Sequence, residues 1–488
     1  MEDDMRGKER ILVIEDQISW FDSFKNILVS QLYEKRDIEM VGLKEIQDSH
    51  KNKDFFDNVS YCLVDLELGS GINKNRNDTY GLNIVLPTIR EIAPWIPAAC
   101  VSRYITGDDT IISDLSVSDF DGLYPKSIIL DQKGEIGSDF NSEKWNGILR
   151  DLSIKRVAAM TGRSTVEINN LLNKVSKIKL KLSDHTRNIV NEFEDERFKE
   201  GVVLLGLGGS SLAINEIKGG FSGINVSIVV ASGEDNRVPI FSYWLMKWSS
   251  NIGKLVEEIQ AHKRMLQIGI NRSLQVPLLH HNVVAWKGIG YIAYVFEENA
   301  KTALDFINDE GLDKFTNHIE TIVSLYKKPK RDTFIPREEL IKWAGFDESR
   351  ADLIDSNSLA NTFELSGALI HGDLHLRNIL IKDNIPALID FARSDYAPIA
   401  IDIAKLAVDI LVFHDKAGLR DISFLDWETL KESPLSGILN VYKDYLTGKG
   451  DIKFFDLALK AYALGYTNYP DVSEEIKATL KKIVRNQR

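Results

Sequence analysis

The first 130 or so residues alternate short apolar runs with amphipathic segments, the rhythm of βαβ units around a parallel sheet. "ILVIED", "YCLVDL", "AACVS" and "GLYPK" read as its strands, each finishing in a polar or charged residue. From about 139 to 200 the period lengthens to that of helices. Trp145, Ile148, Leu149 and Leu152 share one helical face, and Gly162 suits the left-handed position past a helix end. Ser164 and Glu167 are spaced for a capping box, and Ile168, Leu171, Val175, Ile178 and Leu182 continue at an a/d-like interval. The tail "KIKLKL" alternates as a strand would, so helix and strand compete there. The helical face either packs on its own domain or pairs with a second copy. After residue 200 strands come first ("VVLLGLGG", "NVSIVVAS", "VPIFSYWLMKW", "YIAYVFE") and helices later, which suits a two-lobed α+β domain. Ile403, Leu406, Ala407 and Ile410 recur at helix spacing and mark a largely helical C-terminal lobe. There is no internal repeat and no low-complexity tract.

A chain of 488 residues exceeds one ordinary core, so two or three domains are expected. Lys plus Arg number 60 against 72 Asp plus Glu, a net charge of −12 that argues against general binding to nucleic-acid backbones or anionic membranes. Cys62 and Cys100 each sit inside an apolar run and read as core residues in a reducing compartment. The charged N-terminus has no signal-peptide core, and no apolar stretch approaches membrane-spanning length, so a cytoplasmic location is expected.

"LIHGDLHLRNILI", residues 369–381, sets His371, Asp373, His375, Arg377 and Asn378 between clamps of Leu and Ile. Buried polar groups cost free energy unless they are paired or used. Asn378 lies five positions past Asp373, and "ALIDF" places Asp390 twelve past Asn378. Phosphoryl transfer needs a carboxylate to orient and deprotonate a hydroxyl, and oxygen ligands to hold a cation against phosphates. "HGDLHLRN…IDF" resembles the catalytic loop and metal-binding strand of the aminoglycoside phosphotransferase and choline kinase group, relatives of protein kinases. The resemblance implies Asp373 as catalytic base, Asn378 and Asp390 as Mg2+ ligands, and His371 as a brace for the loop. "APIAIDIAKL" resembles the same group's segment in which an Asp starts a core helix, which makes Asp402 structural. Many members carry Pro-Gly where this chain has Leu376-Arg377, so Arg377 faces solvent or a substrate.

Two glycine clusters compete for the ATP phosphates. "GLGGSS" at 206–211 lacks both a closing glycine and a P-loop lysine, and reads as a turn. "GGFSG" places Gly219, Gly220 and Gly223 between two apparent strands, as a flexible lid over phosphates requires. It looks like a bacterial branch of the phosphotransferase group. Lys247, at a strand end, is the candidate for holding the phosphates, with Glu257 or Glu258 on the next helix to orient it. Glu258 is preferred for its spacing to His262. His280 and His281 lack a partner at ligand spacing and read as a loop leading into a strand.

In a parallel sheet all strand C-termini meet at one edge, where ligands bind. Glu15 and Asp16, Asp65, Ser102 and Lys126 end four successive strands. Clustered carboxylates would bind a hard divalent cation, and a lysine and a hydroxyl could receive a phosphoryl group. This set resembles the receiver domain of bacterial response regulators. The resemblance implies Asp65 as phosphoacceptor, Glu15 and Asp16 as the main Mg2+ ligands, Ser102 on the phosphoryl oxygen and Lys126 paired with it. The insert "GSGINKNRNDTYG" after Asp65 departs from that pattern and bears on phosphorylation rate and partner choice.

The expected fold is therefore multidomain: an α/β doubly wound, flavodoxin-like receiver over 8–135, a helical connector over 139–200, and an α+β bilobal protein-kinase-like domain over 201–488, with lobes dividing near 300. The expected activity is phosphorelay-regulated transfer of the γ-phosphate of ATP, with Mg2+, to a hydroxyl of an unidentified small molecule or protein. A sensor histidine kinase or phosphotransfer protein is the implied partner, nucleic acid and membrane are not, and a homodimer stays open. The alternative is a catalytically inactive kinase-fold adaptor governed by the receiver.

Overall fold

The computed structural model describes residues 9–15, 21–22, 25, 36–49, 53–66, 68, 81–102, 105, 119–126, 142–184, 186–187, 195–207, 210–216, 224–235, 238–267, 274–296, 299–326, 330–331, 343–344, 365–446 and 449–485. It falls into two compact units, one of residues 1–256 with 278–295 and the other of 257–277 with 296–488. This division places the first sheet, the helical stretch and most of the second sheet in one unit, where the sequence suggests three segments.

In the first unit, β1 (Glu9–Ile14), β2 (Arg36–Val41), β3 (Val59–Val64), β4 (Ala98–Ser102) and β5 (Gly122–Pro125) form a parallel sheet in the order 2-1-3-4-5. That is a doubly wound order with its switch point between β1 and β3. Every residue of β3 and β4 is buried, which explains their unbroken apolar runs. At the sheet edge β2 buries Ile38 and Val41 but keeps charged residues, so no apolar run betrays it. Helices α1 (Leu43–Asp48) and α2 (Leu86–Ile92) belong to the same layer system.

Helix α3 (Ser142–Thr161) enters two cores at once. Trp145, Leu149 and Leu152 pack with Ile11, Tyr61 and Val101 of the parallel sheet. Ile154, Val157 and Ala158 pack with Val202, Met246 and Trp286 of the next core. The Ser153 hydroxyl meets Tyr61 Oη at 3.0 Å. The helical face thus packs on its own unit. Gly162 follows with φ +70°, and α4 (Thr165–Leu172) opens with the Ser164–Glu167 capping box in place. "KLKL" is strand β6 (Lys179–Leu182), so alternation wins over the helical interval there.

"VVLLGLGG" is not a strand. Its first half ends α5 (Asp195–Leu204), in which Phe198 and Val202 lie one turn apart and are buried with Val203, Leu204 and, just past the helix end, Leu205. A short apolar run does not by itself separate a buried helix from a strand. Next come β7 (Ser211–Glu216), β8 (Asn225–Asp235), β9 (Val238–Ser249), α6 (Ile252–Gln267), β10 (Val284–Trp286) and β11 (Ile289–Phe296). The second sheet runs β10-β11-β9-β8-β7-β6, with β6 parallel to β7 and β8 antiparallel to β7 and β9.

In the second unit, β12 (Lys301–Thr302) leads into α7 (Ala303–Glu310) and α8 (Leu312–Val323). Strand β13 (Lys330–Arg331) pairs with β14 (Ser366–Ile370), and β15 (Ile379–Lys382) with β16 (Ile385–Leu388). The β15–β16 turn puts Asp383 and Asn384 at φ 48° and 61°, the positive angles of a tight hairpin. Then β17 (Asp395–Pro398) pairs back on β14, and α9 (Ala400–Phe413) packs against α10 (Lys449–Tyr466), which is followed by α11 (Glu474–Arg485). Among the described residues no helix is long and apolar enough to cross a membrane.

Candidate active site

The segment 371–378 joins β14 to β15 and is held by three buried charges from one face of α9. Asp402, Lys405 and Asp409 stand about one turn apart along that helix. The Asp402 carboxylate accepts the backbone N–H groups of His371 and Gly372, both at 2.8 Å, and the Tyr326 hydroxyl at 3.0 Å. Asp409 accepts the Leu376 N–H at 2.8 Å and the Tyr466 hydroxyl at 2.5 Å. Burial raises the Asp402 carboxyl, while His371 and the two N–H donors pull it the other way. Gly372 has φ +79°, and a Cβ there would sit 2.0 Å from the Arg393 carbonyl oxygen, so only glycine fits the turn.

His371 bridges two walls of the site. Its Nε2 meets the Ile389 carbonyl at 2.8 Å, and since a carbonyl only accepts, Nε2 carries the proton. Its Nδ1 then accepts the Asp373 N–H at 3.3 Å. Asn378 donates Nδ2–H to the Asp373 carbonyl at 3.0 Å, which fixes its amide orientation and directs Oδ1 elsewhere. The Asn378 carbonyl accepts the Ile389 N–H at 3.0 Å, which draws the chain just before Asp390 against Asn378. Asp390 itself adopts φ +65°, a left-handed backbone that a non-glycine residue takes at some cost in energy. Asp373, Asn378 and Asp390 thus belong to one loop and the strand end beside it.

The Asp373 side chain is 23% exposed, with Oδ1 at 3.1 Å from Lys405 Nζ and Oδ2 at 3.9 Å from His375 Nε2. Burial would raise its carboxyl, but Lys405, His375, Arg393 and His371 outweigh that and hold it well below the usual carboxylate range. Burial likewise opposes the Lys405 ammonium, and Asp373 overrides it, so that amine is pushed up. Burial pushes the His375 imidazole down despite Asp373, Asp409 and Asp390. Arg377 spans to Asp471 at 3.5 Å with its guanidinium 4.6 Å over the Phe413 ring, so it is a surface contact of the lobe. Sequence reading missed Lys405 and Asp409. The signal was there: two charges on the Asp402 face of an otherwise apolar helix.

Residues 327–433 match the phosphotransferase enzyme family model, APH. The matched span contains the whole 371–378 loop, Asp390 and α9. This part of the chain is therefore phosphotransferase-like. Among solved structures, the chain is similar to amicoumacin kinase hAmiN in complex with AMP-PNP, Ca2+ and Ami, at 13% identity over 65% of this chain and 92% of that one, TM-score 0.35. It is also similar to a choline/ethanolamine kinase family protein from Mesorhizobium loti (14% identity, 58% and 90% covered, TM-score 0.37) and to a Plasmodium vivax ethanolamine kinase (13%, 61% and 91%, TM-score 0.36). TM-scores this low leave the function to be argued from the residues. No curated protein matches the chain.

Outside the phosphotransferase-like span, Lys247 is buried on β9 in the first unit, its Nζ 6.0 Å over the Tyr294 ring. Glu258 is fully buried on α6 and belongs to the second unit. Gly219, Gly220 and Gly223 lie outside the described residues, between the antiparallel strands β7 and β8. His280 contacts the Leu205 carbonyl at 2.7 Å and Arg163 at 3.1 Å, a loop tie.

At the C-terminal edge of the parallel sheet, Lys126 Nζ lies 2.6 Å from Glu15 Oε2 and 2.7 Å from Asp65 Oδ2, all three buried. Ser102 ends β4 at the same edge and is fully buried. Asp16 and residues 69–80 of the 69–81 insert lie outside the described residues. Among the described residues no group of three or more His, Cys, Asp or Glu is placed to hold a metal ion.

Proposed function

We propose that the chain is an ATP-dependent phosphotransferase acting on a hydroxyl of a small molecule, regulated through a receiver domain by a phosphorelay. The observation that carries the reading is the tie of Asn378 to both Asp373 and the strand leading to Asp390, inside a segment matching the phosphotransferase family. Asp373 accepts the acceptor's O–H, and as the acceptor oxygen bonds the γ-phosphorus, the bond to the bridging oxygen breaks and ADP leaves. The proton passes to Asp373 and on to solvent. Asn378 Oδ1 and the Asp390 carboxylate would hold Mg2+, which neutralises developing charge on the phosphates. Two protein oxygens suit this cation, since Mg2+ keeps waters and phosphate oxygens in its shell and needs no protein cage. Lys247 would hold the phosphates and Glu258 would orient that lysine, with Gly219, Gly220 and Gly223 as the lid.

For the front end, the 2-1-3-4-5 order and the Lys126–Asp65–Glu15 cluster support a receiver domain with Asp65 as phosphoacceptor. Ser102 and Lys126 would contact the phosphoryl group, Glu15 and Asp16 the Mg2+, and a sensor histidine kinase or phosphotransfer protein would deliver it. Titrating the full chain with ATP in the presence and absence of Mg2+ tests the metal site. Wild type should bind ATP more tightly with Mg2+ and Asp390→Ala should lose that gain; equal Mg2+ enhancement in both would reject the assignment.

A further inference from the structure

Lys405 stands out because the surrounding helix, "AIDIAKLAVDILVF", is apolar and buried along nearly its whole length. A buried ammonium is costly to keep away from water unless it is paired, and an apolar residue of similar volume carries no such cost. The surroundings show what is gained. Nζ lies 5.1 Å, 5.2 Å and 5.8 Å from the ring centroids of Tyr462, Tyr466 and Tyr469, a box that holds a cation by its aromatic faces. The box is itself rigid: Tyr466 is tied to Asp409 through its hydroxyl and packs edge-on against Tyr469 at 4.9 Å. Lys405 is 3% exposed, and its one ion-pair partner among the described residues is Asp373.

We propose that Lys405 is a positioning residue for phosphoryl transfer, pinned by the three tyrosines so that it holds Oδ1 of Asp373 and leaves Oδ2, 3.9 Å from His375 Nε2, for the acceptor hydroxyl. The inference rests on Asp373 acting as proposed above. The ion pair does two things there. It fixes the carboxylate rotation, so that a hydroxyl meets a set atom and not a swinging group. It also offsets the carboxylate's charge where a triphosphate must approach, which would otherwise be repelled. Asp409 and His375, which face the same pair, are engaged by the loop backbone through Leu376 and Arg377, and Arg393 Nη1 is bonded to the Trp343 carbonyl at 2.6 Å. Lys405 is therefore the cation committed to Asp373.

The test uses Lys405→Ala and Lys405→Met in the full chain, with ethylammonium as a replacement cation and ethanol as its neutral control. ADP formation from Mg-ATP should fall at least about 10²-fold in kcat for both variants, with a smaller change in KM. Ethylammonium should restore part of the Lys405→Ala rate, and ethanol none. Independently of turnover, ethylammonium should raise the melting temperature of Lys405→Ala but not of Lys405→Ala/Asp373→Asn. Wild-type rates in Lys405→Met, or equal stabilisation of the single and double variants, would overturn the proposal. A wild type that turns over no ATP would sink the phosphotransferase reading instead, and the melting experiment would still decide the ion pair.

Discussion

Replacing Asp402 by Ala should undo the loop that carries Asp373. The carboxylate is fully buried and accepts three hydrogen bonds, two from consecutive backbone N–H groups that have no water to turn to. A buried donor left without a partner costs about 1–3 kcal/mol, so the two N–H groups and the Tyr326 hydroxyl together put the loss at about 3–9 kcal/mol. The removal of a buried carboxyl returns part of that cost, which keeps the figure at the lower end. Asp402→Asn is no rescue: its amide presents a donor to one of the two N–H groups, and about 2 kcal/mol or more should still be lost. Because the chain has two compact units, a single melting curve mixes them. The clean assay is native-state amide exchange of the peptide covering residues 369–374. A loss of about 3 kcal/mol corresponds to about 10²-fold faster exchange there. Exchange unchanged within a few-fold in Asp402→Ala would refute the claim that this side chain holds the loop.

Gly372→Ala should cost about 3 kcal/mol or more, because a left-handed φ and backbone at 2.0 Å leave no room for a methyl group; amide exchange of the peptide covering residues 369–374 reports it. Burial raises the Asp456 carboxyl to about 6 from 3.8, while its oxygen accepts the Trp427 N–H at 2.7 Å. Since the folded state disfavours the ionised form, stability is full below pH 3.8 and is lost as the pH rises to about 6. That gap of about 2 pH units amounts to about 3 kcal/mol at most, and Asp456→Asn should abolish this part of the decline in denaturation curves taken at pH 4 and 7. Burial pushes the Cys62 thiol up to about 12 and Cys100 higher still, so a thiol reagent should label neither in the native chain and both after unfolding.

Much of the site was legible because its residues are set by local chain geometry. Asp373, Asn378 and Asp390 share a loop and the hairpin after it, so spacing in sequence carries over to space. Glu15, Asp65, Ser102 and Lys126 follow strands of one parallel sheet, and strand ends converge by topology alone. What escaped depends on long-range packing. Lys405 reaches Asp373 across more than thirty residues, and its tyrosine box comes from α10 and the turn after it. Strand β2 escaped for the opposite reason: one face is apolar and the edge is charged, so its pattern is weak. The "VVLLGLGG" run was misread because residues 201–205, where α5 ends, are all buried, so no polar position sets a helical period there.

The central claim is that Asp373 serves phosphoryl transfer from ATP. Phosphorus NMR of the full chain with Mg-ATP and a set of hydroxyl-bearing small molecules follows the γ-phosphate directly. A new phosphomonoester or phosphate signal should grow with wild type and fall at least about 10²-fold with Asp373→Asn, while that variant still binds nucleotide. Equal rates in the two proteins, or an intact γ-phosphate in wild type throughout, would contradict it.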